Sequence, residues 1–453
     1  MEPTVLVDPT GGALPAPWWF MQFFKVLGFT LHAVLMHLWY AGLLWAMYSA
    51  WRGSASAVEA GRRLMRQMPI LVALGINLGI VPLLFLQAAY AKVFYTATIY
   101  MAWFWLAIVI LLIPAYYGVY IYAFGLRKPR NPSEPDTQNF SGLAGSPGAG
   151  SVHSSNSVEG GSAESAGVGS PQGDSSSRGS FGGRFSSAGS GTLGWMPFWR
   201  TAAGWVAAGL FLVIGFLFVN GLTLMTRQEF FLQQHWKTLW GPHTLAGAAL
   251  GTGLNLTDAR LWPRWLMFFS LAWTTLTVWL VVDTAWRASR PRQAYQQWTA
   301  RTAWKLYLAG MVGFGLFGSW YLHTWAPEVR SWMFSWPVVA LTLATAVSPG
   351  PVWLGLVWAA RQGKPPGRAL AALLALGQLT VIALNATSRQ VVQNLELGRF
   401  FAVSQQPQIV QWSPLVVFLL LFGLGAGVLA WMLLQLWQWR ENPSAQSAEG
   451  LPF

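Results

Sequence analysis

Two histidines lie inside the first long apolar stretch of the chain, and they are the residues best suited to cofactor chemistry. Residues 29–45 read FTLHAVLMHLWYAGLLW, with His32 and His37 in the middle. Imidazole ligates haem iron and other metals. An ionisable side chain in a membrane segment is a functional candidate by default, although it can also simply hydrogen-bond a neighbouring helix. We therefore expect cofactor contact from His32 first and from His37 second.

The spacing of the two histidines limits what they can do together. Five residues correspond to about 140° of net rotation on an α-helix, so the side chains point to different faces. The two axial ligands of one haem approach iron from opposite sides. His32 and His37 are therefore not predicted to form such a pair. Met36 shares the face of His32 and is predicted to be packing.

Four further histidines lie elsewhere, and three of them lie after or at the end of predicted spans. His235 and His243 lie in the loop after the fourth span, and His323 ends the sixth. We expect His243 or His323 to supply a distal ligand or a quinone contact, and His235 to be interfacial. His153 lies in a Ser/Gly segment and is set aside. Arg264 is expected to pair with a haem propionate, which suits guanidinium geometry.

The composition indicates a helical membrane protein. Of the 453 residues, 54% are hydrophobic and 9% are charged, with a mean hydropathy of +0.41. Soluble domains carry roughly 25% charged residues. There is no cysteine, which excludes disulfides, iron–sulfur clusters and covalent c-type haem. The net charge of +13 is explained by basic loops between spans rather than by nucleic-acid binding.

Hydropathy predicts an all-α, polytopic transmembrane bundle of about nine spans. They cover residues 20–49, 68–91, 97–125, 198–225, 264–286, 302–324, 332–360, 368–388 and 413–437. With the N-terminus outside and the C-terminus inside, most of the 28 Lys and Arg residues become cytoplasmic. No cleavable signal peptide is expected. Two prolines in the motif VSPGP, residues 347–351, are expected to bend the seventh span or to end it before a re-entrant piece.

The chain divides into four predicted segments. Residues 1–126 form a three-helix transmembrane segment and residues 196–440 a six-helix one. Between them, residues 127–195 are a Ser/Gly-rich cytoplasmic linker that lacks a periodic apolar face and is expected to be flexible. Residues 441–453 form a cytoplasmic tail. Asp283 is expected to pair with Arg287 at i+4 near the inner end of the fifth span.

Several segments resemble an uncharacterised bacterial membrane family related to subunit I of cytochrome bd quinol oxidase. They are LHAVLMHLWYAGLL, INLGIVPLLFLQAAYAKVFYTATIYMAWFWLAIVILLIPAYYGVY and GLNLTDARLWPRWLMFFSLAW. The resemblance implies a nine-span bundle in the bacterial inner membrane, with haem near the outer face and His32 at the position of a haem ligand. Met267 stands where subunit I of cytochrome bd has a second haem histidine. The acidic residues and the GRQPW-type motif of the oxidase are absent, so oxygen reduction is not expected.

These observations predict a membrane electron-transfer subunit that binds haem b, a quinone or both. It would pass electrons between the quinone pool and an outer partner such as a c-type cytochrome, within a complex of other membrane subunits. The alternative is a cofactor-free scaffold that keeps the same bundle, which the change at Met267 favours. A transporter built on the broken seventh span is a third hypothesis, weakened by the lack of deep carboxylates and internal repeats.

Overall fold

The computed structural model describes residues 12–125, 198–227, 241–246, 248–286, 293–363, 366–398 and 401–438. Within these ranges, seven helices are long and apolar enough to cross a membrane. The protein is therefore an all-α, multi-pass membrane protein whose apolar helices contact lipid. The predicted linker, residues 127–195, and the predicted tail, residues 441–453, lie outside the described residues, as do His153, His235 and Arg287.

Twelve α-helices are present in the described residues. They are α1 (Trp18–Arg52), α2 (Ala55–Ala89), α3 (Ala91–Tyr100), α4 (Ala102–Gly125), α5 (Phe198–Leu224), α6 (Leu261–Trp286), α7 (Gln293–His323), α8 (Pro327–Met333), α9 (Val338–Val347), α10 (Pro349–Arg361), α11 (Arg368–Leu397) and α12 (Trp412–Gln438). A two-residue hairpin, β1 (Thr244–Leu245) and β2 (Ala248–Ala249), precedes α6.

Helices α1 and α6 form the centre of the bundle. Helix α1 packs against α2, α5, α6 and α11, while α6 packs against α1, α5, α7 and α11. We call the end at which α1 begins the Trp18 end, and the opposite end the Arg52 end. A side chain on the inner face of α1 or α6 therefore contacts residues from several helices.

Two glycines allow α1 and α2 to approach closely. Gly75 and Gly79 lie one turn apart on α2, the small-xxx-small spacing that lets membrane helices pack backbone to side chain. A Cβ at Gly75 would lie 2.0 Å from Trp39 Cζ2, and a Cβ at Gly79 would lie 2.7 Å from His32 Cε1. The ring of Trp39 fits between the two helices only because Gly75 lacks a side chain, and the ring of His32 fits there only because Gly79 lacks one.

The predicted interruption of the seventh span is present as a junction between two helices. Helix α9 ends at Val347 and α10 begins at Pro349, with Ser348 between them in helical dihedrals, φ −55° and ψ −31°. Residues Val338–Arg361 together are long and apolar enough to cross a membrane. Of the two predicted alternatives, one long interrupted helix agrees with the structure.

The Trp18 end is closed by backbone contacts between segments that are distant in sequence. Leu14 N–H donates to Pro407 O at 2.7 Å, and Ile409 N–H donates to Leu14 O at 2.9 Å. The loop before α6 docks onto the α3–α4 junction, where Gly253 N–H donates to Tyr100 O at 2.9 Å. A Cβ at Gly253 would overlap the Tyr100 ring. This end is therefore a set of interlocked segments rather than free loops.

Replacing Gly75 with Leu is expected to separate α1 from α2. Any Cβ there collides with the Trp39 ring, and overpacking a core typically destabilises by about 1–3 kcal/mol. Gly209→Leu in α5 is the control, because a Cβ there meets no atom within 4 Å. We expect a lower melting temperature and a smaller monodisperse fraction in detergent for Gly75→Leu alone. Equal stability of both variants would contradict this close approach.

Candidate cofactor site

His32 is held against α2 by one backbone hydrogen bond. Its Nδ1 lies 2.8 Å from Gly75 O. Because a carbonyl oxygen can only accept, Nδ1 carries the proton and Nε2 keeps its lone pair. The ring also contacts Trp39 edge to face, with centroids 5.9 Å apart. His32 thus has the tautomer that a metal-ligating imidazole needs, with the second nitrogen fixed by a carbonyl.

His37 points to a different helix, which confirms the prediction that the two histidines occupy different faces. Its Nδ1 lies 2.8 Å from Thr275 Oγ1 on α6. The Thr275 hydroxyl also lies 3.0 Å from Leu271 O and accepts from Gln378 Nε2 at 3.1 Å. Its single proton goes to Leu271 O, so His37 Nδ1–H has to donate. The Nε2 of His37 is then a lone pair, buried and without a hydrogen-bond partner.

A chain of hydrogen bonds across three helices fixes the acceptor of His37. Tyr307 of α7 donates to Gln378 Oε1 at 2.8 Å, which sets the orientation of that amide. The Gln378 Nε2 then donates to Thr274 Oγ1 at 2.9 Å as well as to Thr275 Oγ1. Each proton in this chain has one assigned acceptor. The imidazole of His37 is therefore positioned by α6, α7 and α11 together.

Three cations are gathered inside the Trp18 half of the bundle. Lys25 lies on α1, Arg264 on α6 and Arg389 on α11, and the charges of Arg264 and Arg389 both act on Lys25. The charge of Arg389 also acts on His37. Lys25 and Arg264 are 9% and 6% exposed. The three side chains, which we call the buried cation cluster, therefore lie between the histidines and the Trp18 end.

The partners of the buried cation cluster are neutral. Lys25 Nζ donates to Gln393 Oε1 at 2.7 Å and lies 4.4 Å from the centroid of the Tyr90 ring. Arg264 Nη1 donates to Thr223 Oγ1 at 3.4 Å. Arg389 lies over the Phe29 ring, 4.8 Å from its centroid. The Nε atoms of Arg264 and Arg389 are buried without a hydrogen-bond partner.

No carboxylate in the described residues forms a salt bridge with this cluster. Asp258 and Glu396 both bind Arg260, and Asp283 binds Arg63. Leaving a buried charge uncompensated typically costs about 3–5 kcal/mol. The guanidinium groups of Arg264 and Arg389 also repel each other, which adds to that desolvation cost. The arrangement is the one expected around a bound anion.

The neighbouring amides are arranged around the Tyr90 hydroxyl. It accepts from Gln22 Nε2 at 2.6 Å and from Gln390 Nε2 at 2.8 Å, and donates to Asn394 Oδ1 at 2.5 Å. With one proton donated and both lone pairs used, this hydroxyl is saturated. Tyr90 therefore serves as a rigid wall beside Lys25 rather than as a free proton donor.

Arg260 forms the ionic closure of the Trp18 end. It binds Asp258 Oδ2 at 2.7 Å and Glu396 Oε1 at 3.0 Å, which joins the loop before α6 to the end of α11. Burial alone would raise the pKa of the Asp258 carboxyl, but hydrogen bonds and the charge of Arg260 hold it below its ordinary value. Burial would lower the pKa of Arg260, whereas Asp258 and Glu396 raise it.

The other predicted site residues lie apart from the histidines of α1. His243 Nδ1 lies 3.1 Å from Thr252 Oγ1 and its ring is 5.0 Å from that of Tyr100. His323 is exposed, with Nδ1 2.7 Å from Ser319 O of its own helix. Met267 is buried between α6 and α7 and packs against Gly318. The structure thus brings Arg264, but not His243 or His323, into the buried cation cluster, and a ligand role for either histidine stays a prediction.

Two members of the cluster, Lys25 and Arg389, were not selected from the sequence. Lys25 stands in the apolar run FMQFFKVLGF. An ionisable residue inside such a run was the available signal. Arg389 offered less, because SRQVVQN reads as the polar end of a span.

Comparison with known proteins adds no assignment. No family model matches the chain, and no curated protein matches it. Within the described residues there is also no group of three or more His, Cys, Asp or Glu side chains that could hold a metal ion on its own.

Replacing Thr275 with Val is expected to destabilise the bundle more than the same change at Thr277. The first change leaves His37 Nδ1–H and one Gln378 N–H buried without acceptors, which costs about 1–3 kcal/mol for each lost partner. Thr277 is equally buried but donates only to Trp273 O of its own helix. Thermal unfolding in detergent measures the difference. Equal melting temperatures would show that Thr275 does not hold His37.

Replacing Asp258 with Asn is expected to destabilise the Trp18 end in a pH-dependent way. The pKa of Asp258 is lower in the folded state than the unfolded value of about 3.9, so its charge stabilises the fold above that pH. This contribution is lost as the pH falls through the folded pKa. The difference in melting temperature between wild type and Asp258→Asn should be constant from about pH 8 to pH 5 and shrink below about pH 4. A difference that persists unchanged at acid pH would contradict the ionic role.

Proposed function

We propose that the protein is a membrane electron-transfer subunit that binds b-type haem within the Trp18 half of the bundle. The observation that carries the proposal is the coexistence of imidazole lone pairs on α1 with a buried cation cluster that lacks an anion. Haem matches both features, because it offers an iron that takes imidazole and carboxylates that take guanidinium and ammonium groups.

The residues present fit the two ends of such a group. His32 or His37 would hold iron through Nε2, since Nδ1–H of each is already committed to Gly75 O or Thr275 Oγ1. Lys25, Arg264 and Arg389 would hold the propionates. The open Nε atoms of Arg264 and Arg389 would then find acceptors.

Partial exposure of two of these residues also supports the proposal. His32 and Arg389 lie deep among protein atoms, yet each keeps part of its surface accessible. A bound group would reach both residues through this accessible surface. The apolar rings beside them, Phe29 and Trp39, would exclude water from the bound group.

When bound, haem supplies one-electron transfer. The chain itself fixes the imidazole, balances the charge of the carboxylates and keeps the group within a dry interior, which are the means by which a protein sets a haem potential. We propose that electrons pass between the quinone pool and an outer partner such as a c-type cytochrome, and that the chain is related to cytochrome bd subunit I. Other membrane subunits would complete the complex.

The topology that goes with this proposal has nine crossings, with the Trp18 end outside and the Arg52 end in the cytoplasm of a bacterial inner membrane. The crossings are α1, α2, α4, α5, α6, α7, the α9–α10 pair, α11 and α12. Basic residues that flank the Arg52 end, including Arg52, Arg62, Arg63 and Arg66, support this orientation. The candidate site then lies in the outer half of the membrane.

A cofactor-free scaffold is the second candidate function, and one observation favours it. Large aromatic side chains remain exposed on the bundle surface, among them Trp103, Trp332 and Trp336 at 63%, 61% and 81%. Such side chains suit contacts with other membrane subunits as well as with lipid headgroups. The haem assay below separates this function from the first.

Purified full-length protein is expected to give a b-type pyridine haemochrome and a Soret band. His32→Ala and His37→Ala each test one ligand, and His153→Ala in the Ser/Gly segment is the matched control. We expect one of the two α1 variants to lose most of its haem while the control keeps it. Arg389→Gln should retain less haem than Arg389→Lys, because the lysine keeps the positive charge.

Two results would overturn the haem proposal. One is a wild-type protein without a Soret band after expression with ample haem supply, which would favour the scaffold. The other is full haem retention in both His32→Ala and His37→Ala. Melting temperatures of the apoproteins, measured alongside, show whether a loss of haem merely follows from a loss of fold.

A further inference from the structure

A second site lies at the Arg52 end, on the surface formed by α2, α4 and α5. It is a groove of about 920 Å³, within the usual size range of ligand sites, and its lining includes Ile76, Leu112, Tyr116, Tyr120, Trp199 and Arg200. Most of this lining is apolar. The groove is far along the helices from the buried cation cluster and shares no residue with it.

One nitrogen of an arginine side chain in the groove lacks a hydrogen-bond partner. The Nε of Arg200 is buried and makes no hydrogen bond within the described residues, while its guanidinium lies 5.0 Å from the Trp199 ring centroid. Arg200 stands in the first turn of α5, where backbone N–H groups have no acceptor within the helix. A helix N-terminus together with an unsatisfied guanidinium favours an anion, and phosphate in particular.

The hydroxyls of Tyr116 and Tyr120 in the groove offer acceptors rather than donors. Tyr116 donates to Pro69 O at 3.4 Å, and the hydroxyls of Tyr116 and Tyr120 lie 3.0 Å apart. With the Tyr116 proton on Pro69 O, Tyr120 has to donate to Tyr116, so both protons are used within the protein. The hydroxyls of Tyr116 and Tyr120 therefore have no proton left for a ligand, whereas Arg200 can still donate from Nε. A phosphate diester takes its hydrogen bonds from a guanidinium, which Arg200 supplies.

The apolar part of the groove is shaped for a chain in the membrane. Ile113, Ile121 and Phe124 of α4 are exposed by 57%, 38% and 49%, and they continue from Arg200 toward the middle of the helix. A cation at the end of a membrane helix, above a row of exposed aliphatic side chains, matches a lipid with its headgroup at the interface and its chain along the protein. Basic pockets of this kind between helices bind anionic lipid headgroups.

We propose that this groove is a specific binding site for an anionic phospholipid, with the phosphate on Arg200 and the N-terminus of α5 and an acyl chain against α2 and α4. The site goes beyond the proposed electron-transfer function and does not depend on it. A bound lipid would join α4 to α5, which are separated in sequence by the residues between Gly125 and Phe198. Its expected effect is therefore on the stability of this helix pair.

The test compares full-length protein with Arg200→Gln after delipidation in detergent. We expect native mass spectrometry to show one retained phosphatidylglycerol on the wild type and roughly tenfold weaker binding to the variant, the size of one charge-assisted hydrogen bond. Arg361→Gln, at the end of α10, is the matched control and should bind as the wild type does. Ile113→Trp fills the groove while keeping Arg200 and should also weaken binding.

Thermal unfolding in the presence of added lipid gives an independent measurement. Phosphatidylglycerol should raise the melting temperature of the wild type and of Arg361→Gln, but not of Arg200→Gln or Ile113→Trp. Equal binding by all four proteins would overturn the proposal. So would a quinone, rather than a phospholipid, that copurifies with the wild type and is lost from both groove variants.

Discussion

A bilayer offers no water to the interior of this bundle, so each polar group there needs a partner from the protein. This constraint organises the centre of the structure. The Gln378 amide is oriented by Tyr307, the two threonines of α6 accept from it, and His37 completes the arrangement. Four helices are thereby held in one register. The same requirement makes the atoms that remain without partners the most informative ones in the molecule.

Three of those atoms belong to the candidate site. The Nε2 of His37 and the Nε atoms of Arg264 and Arg389 have no partner, while Lys25 has only an amide and an aromatic ring. An apoprotein that gathered these groups with no ligand would lose several kcal/mol to desolvation and repulsion. A ligand that carries carboxylates and a metal able to bind imidazole would reduce both the desolvation cost and the repulsion. The proposed cofactor therefore rests on the buried cation cluster as well as on the histidines.

The two ends of the bundle contribute differently. At the Trp18 end, Arg260 joins Asp258 to Glu396 and the chain near Leu14 pairs with residues 407–409, so the loops form a closed cover above the candidate site. At the Arg52 end, Arg63 of α2 binds Asp283 of α6, with Oδ1 3.0 Å from Nη2. The Arg260–Glu396 and Arg63–Asp283 pairs each connect segments that are far apart in sequence. The contacts at the Trp18 end and at the Arg52 end consequently hold the bundle around α1, which carries both histidines.

The sequence alone determined the class of protein and the directions of its two histidines. Hydropathy locates apolar helices because membrane insertion depends on the composition of each segment, and helical phase separates His32 from His37 because it depends only on spacing. The tertiary structure decided the partners. Asp283 binds Arg63 of α2, while Arg287, the partner that the sequence predicts for it, lies outside the described residues. The convergence of Lys25, Arg264 and Arg389 from three helices was equally invisible, because contacts across hundreds of residues depend on helix packing and not on any local pattern.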